Sequence, residues 1–260
     1  MIILGTGAGT TSVYSRQPSS SFVLINKGDP VLLCDVGYGV TFACVQLIRR
    51  VPRNIYVSHN HGDHSGDLPV LLAVESREAA AEGRPPPCLY SHPDVMEELQ
   101  QYRLRELKST GKPLEDFAEF HEVPTNARTA IGYTGLSISP FRTRHKETCY
   151  GFILYHGAVP VLGWTADSGF DEALYEQLSV APVLLVDARK GGSEEHSGFD
   201  ELVRLVALPY MQGKALYVTG YGRQDEVPKK GEVPRAVIVA RPGMRIRLSP
   251  EPKRKDINQG

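Results

Sequence analysis

Short apolar runs, many of them β-branched, recur along the chain at Phe22–Ile25, Val31–Cys34, Ile55–Val57, Leu136–Ser139, Phe152–Tyr155, Val159–Leu162, Val183–Val186 and Ala215–Val218. Runs this short, bounded by Gly, Asp, Asn and Pro, predict β-strands. Less regular patterns at Val40–Arg50, Asp94–Ser109, Glu172–Leu178 and Phe199–Ala207 predict helices. The chain is therefore mixed α/β. Gly28-Asp29-Pro30 separates two apolar runs near the start, and His156-Gly157 separates two more near the middle, so each half is expected to open with a hairpin. Between Val74 and Phe120 lies a polar, helical stretch in which Arg84-Pro85-Pro86-Pro87 marks an extended connector; it serves either plain packing or a lid. The charged, proline-containing tail 250–260 is expected to be flexible.

The most informative segment runs from Asn54 to Leu68. A short apolar strand leads into His59-Asn60-His61-Gly62-Asp63-His64, three histidines and an aspartate within six positions. Imidazole nitrogens suit Zn²⁺, Fe and Mn²⁺, and a carboxylate adds a hard oxygen, so this mixture can hold a metal that keeps a position open for water. His59 and His61 lie two apart and can point the same way from an extended segment, whereas Asp63 and His64 lie past the turn. That spacing favours two adjacent metal positions over an adventitious histidine-rich loop.

The segment His59 to His64 matches without a gap the HxHxDH motif of the metallo-β-lactamase superfamily, which the chain resembles. Leu4-Gly5-Thr6-Gly7-Ala8-Gly9 and Leu33-Cys34-Asp35-Val36-Gly37 resemble the opening of its ribonuclease Z branch. Arg144–Phe152 and Thr165–Gly169 resemble that branch's next two ligand segments. Leu184–Ala188 and Glu195–Gly198 look more like the phosphoribosyl cyclic phosphodiesterase of phosphonate catabolism. The resemblance implies a four-layer αββα sandwich formed by a single domain over residues 1–260, with the metal site at one edge of the sheets. It implies His59, His61 and His145 around one metal, Asp63 and His64 on a second, and Asp167 as the bridge, because a carboxylate between two dications reduces their repulsion. Asp35 resembles the aspartate that supports the ligand histidines, although a turn-forming Asp before Gly37 fits the spacing equally well. His196 is a candidate for binding a phosphoryl oxygen or protonating a leaving group; equally, Ser193 to Gly198 caps the following helix. His92, His121 and His156 lack such support and read as surface histidines.

The family pattern breaks where its last ligand histidine usually follows a strand. Here Leu216-Tyr217-Val218-Thr219-Gly220 places glycine at that position, so the second site is one protein ligand short. Unequal occupancy follows as an expectation, with Gly220→His expected to raise affinity at the weaker site. Ala240-Arg241-Pro242-Gly243-Met244 likewise lacks the acidic residue of the closing family segment.

The net charge of −1 gives no reason to expect a polyanionic partner, which leaves nucleic acid possible but unindicated. Four scattered cysteines without CxxC spacing indicate neither a disulfide framework nor a cysteine zinc knot. No run reaches the length of a membrane span and no signal peptide is apparent, so a cytoplasmic location is expected. Gly5-Thr6-Gly7-Ala8-Gly9 does not read as a dinucleotide fingerprint, because the polar residues 12–21 cannot open a helix as that fingerprint requires. Ser168 lacks the GxSxG turn of a serine nucleophile.

The expected function is that of a metal-dependent hydrolase, with Zn²⁺ favoured over Mn²⁺ or Fe, one or two ions per chain, and Asp63 and His196 as catalytic groups. The expected substrate is a small cyclic phosphate or an RNA-related phosphodiester, attacked by metal-activated water. The alternatives are a hydrolase of another ester class and a catalytically weakened regulatory or binding protein that retains the fold.

Overall fold

The structure, a computed structural model, describes residues 1–9, 14–125 and 127–248. The expected tail 250–260 and part of the polar loop after Gly9 lie outside these residues. The first sheet contains β1 (Ile2–Gly5), β2 (Ser21–Asn26), β3 (Asp29–Cys34), β4 (Asn54–Tyr56), β5 (Cys88–Ser91) and β6 (Glu119–Glu122), in that spatial order. The second contains β7 (Thr129–Ala130), β8 (Leu136–Arg142), β9 (Tyr150–His156), β10 (Val159–Trp164), β11 (Val183–Asp187), β12 (Ala215–Thr219) and β13 (Val237–Val239), also in sequence order. Among the helices are α1 (Val40–Ile48), α2 (Gly62–Ser65), α3 (Leu68–Ala81), α4 (Pro93–Glu98), α5 (Arg105–Lys108), α6 (Glu172–Leu178) and α7 (Glu201–Ala207).

The halves repeat one plan. In each, an antiparallel hairpin (β2–β3, β9–β10) passes into parallel strands (β3–β4–β5–β6, β10–β11–β12–β13). The first hairpin turns through Lys27 and Gly28, both at positive φ (52° and 91°), the backbone twist that matches paired strands.

Period-2 alternation sorts the side chains into layers. Phe22, Leu24, Leu32, Cys34, Tyr56, Val183 and Leu185 face the interior between the sheets. Their sequence neighbours Val23, Leu33, Ile55 and Val57 face the helices over sheet one, and Leu184 and Val186 face those over sheet two. This alternation produces the αββα sandwich of the metallo-β-lactamase fold. Between the sheets Trp164 meets Phe22 and Phe152 edge-on, each with ring centroids 5.1 Å apart, and Tyr56 meets Phe152 at 5.0 Å. Such pairs add about 0.5–1.5 kcal/mol each beyond the area they bury.

The helix expected at Asp94–Ser109 is interrupted. A π-helical turn, Leu99–Arg103, separates α4 from α5 and carries Arg103 to the loop between His59 and His61. There its guanidinium donates to the Asn60 carbonyl at 2.8 Å and to Asn60 Oδ1 at 3.2 Å. No helix among the described residues is long and apolar enough to cross a membrane.

Candidate metal centre

The motif lies where parallel strands end, at the rim where α/β folds collect their functional groups. Asp35 follows β3, Ser58 and His59 follow β4, Asp167 follows β10, Asp187 ends β11 and Gly220 follows β12. Two non-glycine residues at this rim adopt left-handed backbone, Asp35 (φ 61°) and Ala166 (φ 52°). Such conformations cost of order 1–3 kcal/mol and persist only where the surroundings hold them.

The surroundings of Asp35 do so. Fully buried, its carboxylate accepts from the Ser58 N–H at 2.8 Å, the Ser58 hydroxyl at 2.9 Å and His64 Nδ1 at 2.6 Å. The Ser58 oxygen in turn lies 2.9 Å from His59 Nδ1. Because the Ser58 hydroxyl proton points to Asp35, its oxygen accepts the His59 Nδ1 proton. His59 is thereby fixed as the Nδ1–H tautomer with its Nε2 lone pair facing inward, and His64 keeps its Nδ1 proton on Asp35 with Nε2 facing inward. Asp35 thus fills the supporting role, not that of a simple turn residue.

Two clusters of donor atoms result. In the first, His61 Nδ1 lies 3.2 Å from His59 Nε2 and 3.3 Å from His145 Nε2. His145 Nδ1 is 3.3 Å from the Glu195 carbonyl, which accepts its proton and turns the Nε2 lone pair toward the other rings. Lone pairs converging from two buried rings and the solvent-facing His61 fit a divalent cation, so the donor set passes the chemical test for a metal. In the second, His64 Nε2 lies 3.2 Å from Asp167 Oδ1 and 3.7 Å from Asp63 Oδ2, which also accepts the Gly9 N–H at 2.6 Å. All six residues expected from the sequence meet here: His59, His61, Asp63, His64, His145 and Asp167.

Electrostatics in the protein alone follow from this packing. Burial, aided by the neighbouring His64, pushes His59 well below the ordinary imidazole pKa, and burial lowers His145. Burial opposes charge on His64 too, but Asp167, Asp63 and Asp35 outweigh it and hold that ring well above its ordinary value. Burial would raise Asp167, yet His64, His59 and Arg189 hold it well below the usual carboxylate range.

His196 is brought to the same rim. Its Nδ1 donates to Asp187 Oδ2 at 2.8 Å, while its own segment meets the start of α7 through Gly198, whose N–H donates to the Glu201 carboxylate at 2.8 Å and whose carbonyl accepts the Glu201 N–H at 3.1 Å. Asp187 and Arg189, to which the sequence attached no role, complete this side: Arg189 Nη2 lies 3.4 Å from Asp187 Oδ1 and 3.8 Å from Asp167 Oδ2. For Asp187 the sequence offered the resemblance of Leu184–Ala188 to the cyclic phosphodiesterase; for Arg189 it offered no signal.

Two expectations are corrected. His92 is not a surface histidine: it is buried against Tyr150, ring centroids 3.7 Å apart, and its Nδ1 accepts the Asp94 N–H at 3.3 Å to cap α4. His121 is half-buried, stacked on Tyr90 at 4.7 Å, and only His156 is exposed at the end of β9. Nor can Gly220→His simply restore a ligand. Gly220 has φ 70°, and a Cβ there would collide with the Asp187 carboxylate.

Fold and site together define a protein of the metallo-β-lactamase class, with a donor set suited to a divalent metal. Residues 1–237 match the family of the anti-Pycsar protein Apyc1, and the chain belongs to that family. It is also similar to ribonuclease Z of Lactiplantibacillus plantarum, 30% identical over 151 residues that make up 57% of this chain and 46% of that one. The chain thus spans about half the length of that relative. Two solved structures share the fold with a TM-score of 0.71 each. The metallo-β-lactamase fold protein YhfI of Bacillus subtilis is 20% identical, with 94% of this chain and 97% of that one covered. A diphosphatase of the PhnP family is 18% identical, with 95% and 97% covered.

Proposed function

We propose that the protein is a metal-dependent phosphodiesterase acting on a small phosphodiester, a cyclic phosphate or an RNA-related ester, with zinc as its preferred metal. The observation that carries this reading is the convergence of three imidazoles, His59, His61 and His145, beside the carboxylates of Asp63 and Asp167. The similarity to ribonuclease Z and to the PhnP-family diphosphatase supports the choice of phosphorus over carbonyl chemistry. Beside Asp63, a cleft of about 240 Å³ is lined by Ala8, Gly9, Arg189, Lys190, Tyr221 and Glu226. Its two cationic side chains suit a phosphate group, and its volume suits a small molecule.

A divalent metal held by the three histidines would supply Lewis-acid charge at the phosphoryl group and acidify water. The chain's own groups do the rest. Asp63, anchored by the Gly9 N–H, orients the attacking water and takes its proton as the new P–O bond forms. His196, with Nδ1–H on Asp187, delivers a proton from Nε2 to the departing oxygen as the ester P–O bond breaks. Asp187, accepting from Nδ1, keeps the ring oriented for that transfer.

The direct test pairs metal content by elemental mass spectrometry with hydrolysis of bis(p-nitrophenyl) phosphate for wild type and His61→Ala. Turnover that requires both the metal and His61 is expected. Metal bound without turnover on that ester or on cyclic nucleotides would refute the phosphodiesterase and favour a protein that binds without hydrolysing.

A further inference from the structure

The two donor clusters are not equivalent, and the difference is written in three residues. At the second cluster the family's last histidine is replaced by Gly220, and the space its side chain would enter is filled by Asp187. A buried carboxylate near Asp167 thus stands where the family pattern has a neutral ligand. Such a cluster requires positive charge. The chain supplies it covalently: Arg189 places Nη2 3.4 Å from Asp187 and 3.8 Å from Asp167, with its side chain 24% exposed.

We propose that the protein holds one divalent metal, at His59, His61 and His145, and that the Arg189 guanidinium takes the place of the second. A guanidinium does not deprotonate in a protein, so it repels an incoming dication at every working pH. Arg189 also has capacity to spare. Its Nε is buried without a hydrogen-bond partner, and the side chain lines the cationic cleft beside Gly9. A planar donor group so placed fits a non-bridging phosphoryl oxygen, the position a second metal would otherwise neutralise. That last consequence rests on the phosphodiesterase reading; the metal count does not.

The experiment is a zinc titration of the chelator-stripped full chain by calorimetry, with bound metal counted by elemental mass spectrometry. Wild type is expected to bind one zinc tightly, with any second ion weaker by roughly 10- to 100-fold, the scale on which lost supporting contacts act. Arg189→Met removes the competing charge and leaves Asp63, His64, Asp167 and Asp187, so it should bind two zinc ions. Arg189→Lys keeps the charge and should bind one. Two tight zinc ions in wild type would overturn the proposal, as would a single zinc in folded Arg189→Met. Should Arg189→Met fail to fold by circular dichroism, the wild-type count decides alone. Hydrolysis of bis(p-nitrophenyl) phosphate is measured on the same samples. One zinc without turnover defeats the phosphodiesterase reading and leaves the count standing, whereas two zinc ions with turnover defeat the proposal and leave the enzyme.

Discussion

Replacing Asp35 by asparagine tests whether the rim is organised from beneath. Asparagine keeps the shape and, among side chains other than glycine, tolerates the left-handed backbone at φ 61° best, so the change isolates charge and hydrogen bonding. Wild-type Asp35 accepts three hydrogen bonds inside a fully buried pocket, the shortest 2.6 Å from His64 Nδ1. An amide can keep one or two of them, but it leaves the His64 proton without a charged acceptor. Breaking a buried pair by removing one partner costs about 3–5 kcal/mol, and the remaining amide oxygen reduces the expected loss to roughly 2–3 kcal/mol. Ser58 would also lose the charged acceptor that draws its hydroxyl proton away from His59, so His59 loses its fixed tautomer, which lowers metal affinity roughly 10- to 100-fold. Urea unfolding in chelator measures the first effect, and zinc titration against a competing chelator measures the second. A variant within about 0.5 kcal/mol of wild type, the scatter of ordinary surface changes, and with unchanged zinc affinity, would refute the argument that Asp35 orients the histidines.

Gly37→Ala should be severely disruptive, because its Cβ would fall on the carbonyl of Asp63, backbone that cannot swing aside; a melting temperature lower by roughly 2–12 °C is expected, and an unchanged one would contradict the close approach. The metal-free protein should be most stable near the ordinary imidazole pKa of about 6.5. Below it the unfolded chain binds protons that folded His59 and His145 refuse, so stability falls with pH. Above it folded His64 keeps a proton the unfolded chain has lost, so stability falls again as pH rises toward that ring's elevated pKa. Urea midpoints between about pH 5.5 and about pH 9 check this, and a steady rise across that range would exclude the charged His64.

How much of this could be read from the chain alone differs from element to element. The eight apolar runs named in the sequence all became strands, because alternation within a run survives whatever the rest of the chain does. The strand Glu119–Glu122 escaped notice: Glu-Phe-His-Glu has little apolar content, and it is held only as an edge partner of β5. The helix Leu68–Ala81 follows the histidine loop so closely that its apolar face was absorbed into the motif. At the site, the six residues that meet were legible through their match to the family's motif segments, whose order the chain keeps. Gly220 was legible as a departure, but Asp187, 33 positions earlier in sequence, could not be connected with it until the parallel pairing Asp187↔Thr219 set the two strand ends side by side. His92 was misread for the same reason, since its stack on Tyr150 is a long-range contact with no local signature.

The hairpin-then-parallel plan repeated in the two sheets means that the histidines of one cluster belong to different halves of the chain. His61 and His145, 84 positions apart, face each other at 3.3 Å only when the sheets are docked. An ion held there is a clasp across the interface between the sheets, and its loss loosens the junction before it disturbs either sheet. Metal retention in this chain therefore reports on assembly: a folding intermediate with one sheet formed presents half a site, so a tightly held ion marks molecules whose two halves have met.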